Sequence, residues 1–157
     1  MISRIALVIL TAFLFVGCQG HRSLPKEQWT VTEVHEVPGQ EKVAIYTAAR
    51  AWFAHTFRDS KSVLEVQDKD AGQLIGKGYI PKVLDWGLGA SASLHFGITI
   101  DVKDGKYRIV IEALNFLTST GTEREVIGES ELKAVMSAMK QLDADLLSKI
   151  AVKKTDF

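Results

Sequence analysis

Between Ala92 and Phe116 the chain has almost no choice of fold. Ala92, Leu94, Phe96, Ile98, Ile100 and Val102 alternate with Ser93, His95, Gly97, Thr99, Asp101 and Lys103. A period of two puts every apolar side chain on one face of an extended strand. Asp104-Gly105 then supplies a two-residue hairpin turn, and Tyr107–Phe116 returns. Pairing Lys103 with Lys106 sets Val102 opposite Tyr107, Ile100 opposite Ile109, Ile98 opposite Ile111 and Phe96 opposite Ala113, one apolar face. On the reverse, Asp101 meets Arg108, Thr99 meets Val110, Gly97 meets Glu112 and His95 meets Leu114. A slip of one residue would turn every side chain to the wrong face, so the pattern fixes the register. The domain must therefore contain an antiparallel sheet with one buried side.

Two segments have the periodicity needed to bury it. In Gln40–Phe57, Ile45, Ala49, Trp52, Phe53 and Phe57 recur at three- and four-residue steps, with Glu41, Lys42, Thr47 and Arg50 on the other side. In Ser130–Ala151, Leu132, Val135, Met136, Met139, Leu142, Leu146 and Ile150 form a second stripe, which Ser130 or Gly128 can cap. Further strands are expected at Trp29–Val37, ending in the Pro38-Gly39 turn, at Val63–Gln67 and at Gln73–Val83, separated by the Asp68–Gly72 turn. Gly76 and Gly78 mark a bulge or a close backbone approach in the last of these. Lys82–Ser91 reads as a long connection holding Trp86, and Thr118–Gly128 as a polar loop. The order strand, helix, four strands, helix gives a two-layer α+β domain with both helices on one face of an antiparallel sheet.

That arrangement leaves the other sheet face uncovered. His95, Thr99, Arg108, Val110, Glu112, Leu114 and Phe116 are expected there, and with Trp86 they form the candidate binding face. An apolar patch with a polar rim suits a protein, peptide or small-ligand partner. His95 lies diagonally across from Glu112 and offers a rival reading as the acid–base pair of a hydrolase. No nucleophile with an orienting partner accompanies it in the sequence, so a non-enzymatic role is expected, with a purely structural envelope component as the third reading. Gly87-Leu88-Gly89-Ala90-Ser91-Ala92 has dinucleotide-loop spacing but opens a strand where that loop opens a helix. Asp68, Asp70 and Gly72 lack the glycine and the twelfth-position glutamate of a calcium loop. His55 and Asp59 are only two ligands, too few for a zinc site. No cofactor or metal is expected.

The first seventeen residues read as an address. Arg4 precedes the apolar run Ile5–Phe15, which is too short for the roughly 20 residues that cross a ~30 Å hydrocarbon core. Phe15-Val16-Gly17-Cys18 closes it with small-residue cleavage chemistry, the layout of a signal peptide. A cysteine directly after the cut resembles the lipobox of bacterial lipoproteins, with Phe15 in place of the usual leucine. That resemblance implies cleavage between Gly17 and Cys18 and a diacylglyceryl thioether, with palmitate-type acyl chains, on the only cysteine in the chain. Residues 18–28 then form the lipidated cysteine and a tether, and 29–152 the single domain. Gln19 follows the cysteine where an aspartate would signal inner-membrane retention, which favours the outer membrane. Basic and acidic side chains balance at 19 each, and loss of Arg4 leaves the mature chain at a formal −1. No basic excess exists to neutralise phosphates, which excludes a nucleic-acid partner.

Several short motifs also resemble one bacterial family. Glu36-Val37-Pro38-Gly39, Tyr46, Trp52-Phe53, Asp68-Lys69-Asp70-Ala71-Gly72, Gly76-Lys77-Gly78 and Val102-Lys103-Asp104-Gly105-Lys106-Tyr107-Arg108 are similar, in order and spacing, to the domain of unknown function with a TBP-like fold found in exported proteins and lipoproteins. The resemblance covers roughly Trp29–Phe116. It implies a β-α-β4-α fold and no activity; its TBP-like character concerns shape and does not carry DNA binding across.

Overall fold

The alternating hairpin forms the centre of the sheet. In the computed structural model, which describes residues 25–57, 63–125 and 128–151, a 3-10 turn (Lys26–Trp29) leads into β1 (Thr30–Glu36) and α1 (Lys42–Thr56). Then follow β2 (Val63–Asp68), β3 (Gln73–Gly87), β4 (Ala90–Lys103), β5 (Lys106–Thr118), β6 (Glu123–Arg124) and α2 (Glu129–Ala151). The strands pair antiparallel in the order β1-β5-β4-β3-β2, and β6 adds to β5 beyond the end of β1. The expected two layers are present: both helices pack on the face carrying Leu94, Phe96, Ile98, Ile100 and Val102. The two-residue β6 lies in the segment read as a polar loop.

From Lys103–Lys106 to Phe96–Ala113 the hairpin pairs as its alternation demands. There β5 bulges. Leu114 has no partner, His95 pairs with Asn115, and Leu94 pairs with Phe116. Two expectations are corrected: His95 is not opposite Leu114, and Phe116 is not on the open face. One extra residue reverses the parity of everything after it, so Phe116 turns into the core with 0% exposure. The guanidinium of Arg124 lies 5.9 Å above its ring. Burying a phenylalanine is worth about 1.5–3 kcal/mol over leaving it in water.

A second irregularity conceals the end of β3. Pro81-Lys82-Val83 arch out where only Ser93 stands opposite, and Lys82 takes φ 51°. The Ser93 hydroxyl accepts from the Lys82 N–H (3.1 Å) and the Tyr79 hydroxyl (2.8 Å), satisfying the arch. Pairing then resumes at Leu84–Ala92. The connection expected over Lys82–Ser91 is thus mostly strand, closed by the two-residue turn Leu88-Gly89. Gly78 is explained by the core: a Cβ there would lie 2.1 Å from the Phe96 ring, which fills the space a side chain would need.

The helices are tied down by polar contacts at their ends. The Lys42 N–H donates to Asp104 Oδ1 (2.7 Å), so a carboxylate from the β4–β5 turn caps the first turn of α1. The same turn is laced to the β1–α1 connection through Val37 N–H to Gly105 O and Gly105 N–H to Gln40 O. Gly128 is the residue before α2, and its carbonyl accepts from Leu132 N–H. Trp52 Nε1 donates to Asp145 Oδ2 (2.7 Å) and Gln40 Nε2 to the Ile150 carbonyl (2.6 Å), joining the helices along their length.

Candidate functional site

The face away from the helices is built by alternate residues of four long-paired strands. Odd positions of β4 (His95, Gly97, Thr99, Asp101) and even positions of β5 (Arg108, Val110, Glu112) share it, as expected. β1 adds Thr32 beside Val110 and the exposed Val34 beside Arg108; β3 adds Ile75 beside Thr99 and Tyr79 beside His95. These added residues were not assignable from sequence because no local pattern says which strand a neighbour will be.

One corner is electrostatically ordered. Arg108 Nη2 and Nε both donate to Asp101 Oδ2 (2.6 and 3.1 Å), and Gln73 Nε2 donates to Oδ1 (2.9 Å). Partial burial pushes the Asp101 carboxyl up, but the hydrogen bond from Gln73, the hydrogen bond and charge of Arg108, and the charge of Lys103 outweigh it and hold the group below the usual carboxylate value. Beside this pair, Val34, Asp101, Lys103, Lys106 and Arg108 line an open recess of about 470 Å³. At the sheet centre Gly97 leaves open space where a side chain would stand. Near the other end, His95 meets the Tyr79 ring edge-on at 5.1 Å. Its Nε2 is buried and has no hydrogen-bond partner among the described residues.

The remaining candidates separate. Leu114 is exposed at the bulge, and Phe116 belongs to the core. Trp86 is off the face, at the tip of the β3–β4 hairpin, with Arg124 5.4 Å from its ring. Glu112 stands opposite Gly97, two residues along β4 from His95. Among the described residues no group of three or more His, Cys, Asp or Glu side chains is placed to hold a metal ion. His55 is in the last turn of α1, while Asp59, Gly17 and Cys18 lie outside the described residues. No described helix is long and apolar enough to cross a membrane.

Sequence reasoning missed a polar cluster under α2. Asp143 lies on the apolar stripe of α2 with 8% exposure and takes a hydrogen bond at 2.7 Å from His35 Nε2 of β1. The His35 ring packs 5.0 Å from that of Tyr107, whose hydroxyl is buried without a partner among the described residues. Burial, reinforced by the Asp143 charge, pushes the Tyr107 phenol far above its ordinary value. The available signal was a single carboxylate at helical spacing from Met139 and Leu146. The cluster is half-buried, and it ties α2 to the sheet.

The family described as "Domain of unknown function (DUF4468) with TBP-like fold" matches residues 32–117, more than half of the chain. The chain belongs to the DUF4468 family. Its fold is also that of two solved proteins. A TBP-like protein from Parabacteroides distasonis ATCC 8503 superposes with a TM-score of 0.67 at 12% identity, over 80% of this chain and 94% of that one. A DUF4468 family protein from Bacteroides ovatus ATCC 8483 gives 0.64 at 14% identity, over 88% and 95%. At such identities the likeness establishes the TBP-like fold alone. No curated protein matches the chain.

Proposed function

We propose that this DUF4468 chain is a cell-envelope lipoprotein, anchored through Cys18 at the outer membrane, whose domain is a non-enzymatic module that binds a protein partner on the open sheet face. The observation that supports it is the one-sided packing. Both helices cover one face, while Val34, Val110, Ile75 and Leu114 stand half-buried or exposed on or beside the other, among Arg108, Lys77, Glu112 and Asp101. Mixed apolar and charged groups on a broad surface are the composition of a protein interface. Small molecules prefer concave, mostly apolar pockets, whereas the recess beside Arg108 is open and charged. The tether 18–28 and the acyl chains on Cys18 supply the location; stable anchoring takes two or more chains.

The test is cross-linking in native envelopes followed by affinity capture of the lipidated protein. Wild type is expected to retain one defined species in fixed stoichiometry, and Val110→Glu with Leu114→Glu is expected to lose it while keeping the wild-type melting temperature. The same species retained by the double variant removes the sheet face from consideration. Mass spectrometry of the N-terminal peptide checks the acyl chains on Cys18.

A further inference from the structure

The β3–β4 hairpin ends in a turn whose residues serve the fold poorly. Gly87 pairs with Ala90, and the two residues between them, Leu88 (φ 51°) and Gly89 (φ 83°), both have positive φ, the geometry of a type I′ turn. That turn favours asparagine, aspartate or glycine in its first central position. Leucine has no side-chain hydrogen bond to offer there and is disfavoured in the left-handed region. Leu88 is also 109% exposed, touching nothing. Two positions earlier, Trp86 is 50% exposed, while Trp29 and Trp52 are buried. An apolar side chain held in a strained conformation, in water, beside a half-exposed tryptophan has no explanation in packing.

We infer that this tip, Trp86 with Leu88, is the domain's membrane contact and inserts into the headgroup–acyl boundary of the bilayer to which Cys18 is attached. The inference rests on the lipoprotein reading above. Chain geometry supports it. β1 starts at Thr30, opposite Glu112 and hence level with Gly97, and runs from there away from the tip. The 3-10 turn Lys26–Trp29 leads into it, packed against β5 and α2. From Gly97 to Ala90 the sheet rises seven residues further, about 23 Å at 3.3 Å per residue. The stretch from Cys18 to Pro25 spans at most about 25 Å. An extended stretch of that length is comparable to the rise from the level of Thr30 to the tip, so a lipid on Cys18 holds the domain close to its bilayer.

The chemistry fits an interface more than a charged surface. Tryptophan and leucine are the side chains of membrane-interface contacts, the indole with its polar edge at headgroup level. The Asp85 carboxylate accepts the Gly87 N–H at 2.8 Å and stiffens the base of the tip. Arg124 is held between the Trp86 and Phe116 rings and paired with Glu131, so its charge is engaged within the protein. The charge that stands at the base of the tip itself is the Asp85 carboxylate. Insertion is driven by apolar burial, and anionic lipid opposes it.

The test uses lipidated protein purified from envelopes and reconstituted into phosphatidylcholine vesicles whose acyl chains are brominated near the glycerol end. With Trp29 and Trp52 buried, quenching by bromine reports Trp86. Wild-type emission is expected to be blue-shifted, quenched by the bromines and shielded from acrylamide, and these effects are expected to weaken when phosphatidylglycerol is added. Trp86→Phe is expected to lose the quenchable emission. Leu88→Asp and Leu88→Gly are expected to abolish quenching with an unchanged circular dichroism spectrum; the glycine variant also relieves the turn and so separates a membrane role from a folding role. Acylated protein resident on vesicles with Trp86 unquenched overturns the inference and leaves the lipoprotein reading standing. Equal quenching in both Leu88 variants also overturns it. Protein that carries no acyl mass on Cys18 overturns both.

Discussion

Replacing Tyr107 by phenylalanine should stabilise the domain, against the usual rule that core substitutions destabilise. Tyr107 is 1% exposed, and its hydroxyl meets no hydrogen-bond partner among the described residues. An unsatisfied buried hydroxyl costs about 1–3 kcal/mol. Phenylalanine keeps the ring and its contact with His35, and removing an unpartnered hydroxyl strands no other group. A net gain of about 1 kcal/mol is therefore expected at neutral pH, or roughly 3–5 °C in melting temperature for a domain of this size. The phenol adds a pH signature. Burial and Asp143 raise its native pKa above the ordinary 10.0. Below pH 10 both states are protonated and the group contributes equally at every pH. Above it the unfolded phenol ionises while the native one does not, so wild-type stability falls by about 1.4 kcal/mol per pH unit until the native group titrates. The phenylalanine variant lacks that loss, and the gap between the two proteins should widen from pH 10 to 11. Urea unfolding followed by circular dichroism at pH 7, 10 and 11 measures both effects. A variant less stable than wild type at pH 7 would show that the hydroxyl is satisfied, and a gap that stays constant above pH 10 would show that the native phenol is not shifted; either result refutes the reasoning.

Gly78→Ala is expected to cost several kcal/mol, because its Cβ would overlap the Phe96 ring at 2.1 Å and that ring is itself fully buried; a melting temperature within a degree of wild type would mean that the ring moves freely. Asp104→Ala removes the carboxylate that accepts the Lys42 N–H and should lower stability by about 1 kcal/mol, read as a drop in the urea midpoint at unchanged slope.

The central hairpin could be read because one face is buried along its whole length, so hydropathy and geometry carry the same information. The bulge left only a small trace: after Ala113 the alternation changes phase, with Leu114 directly beside it and polar Asn115 on the parity of the core residues. What selects Phe116 for the interior is Leu94 opposite and Arg124 above, neither of which is local. β1 illustrates the reverse problem. Its Val34 points outward and its His35 inward, the opposite of their hydropathies, because His35 finds Asp143 of α2 across 108 residues. The open face was therefore located correctly from the hairpin, while its flanks, Val34, Ile75 and Tyr79, depended on which strands became neighbours. Trp86 stands away from the face because it is the unpaired residue between Asp85–Ser91 and Gly87–Ala90, at the end of the hairpin, and that second irregularity has no trace in the sequence. The reading made at Cys18 lies outside the described residues.

The sheet order also dictates a timetable. β1 pairs with β5, from Thr30–Glu112 to Glu36–Lys106, so its partner is synthesised seventy or more residues later. β3, β4 and β5, in contrast, pair with neighbours in sequence. Contacts of such long separation close slowly. The first strand to be made is therefore among the last to find its place, and until it does, one flank of β5 stays an unpaired edge. A molecule delivered to a membrane by its N-terminus would spend that interval with its central meander formed and its anchoring strand still loose.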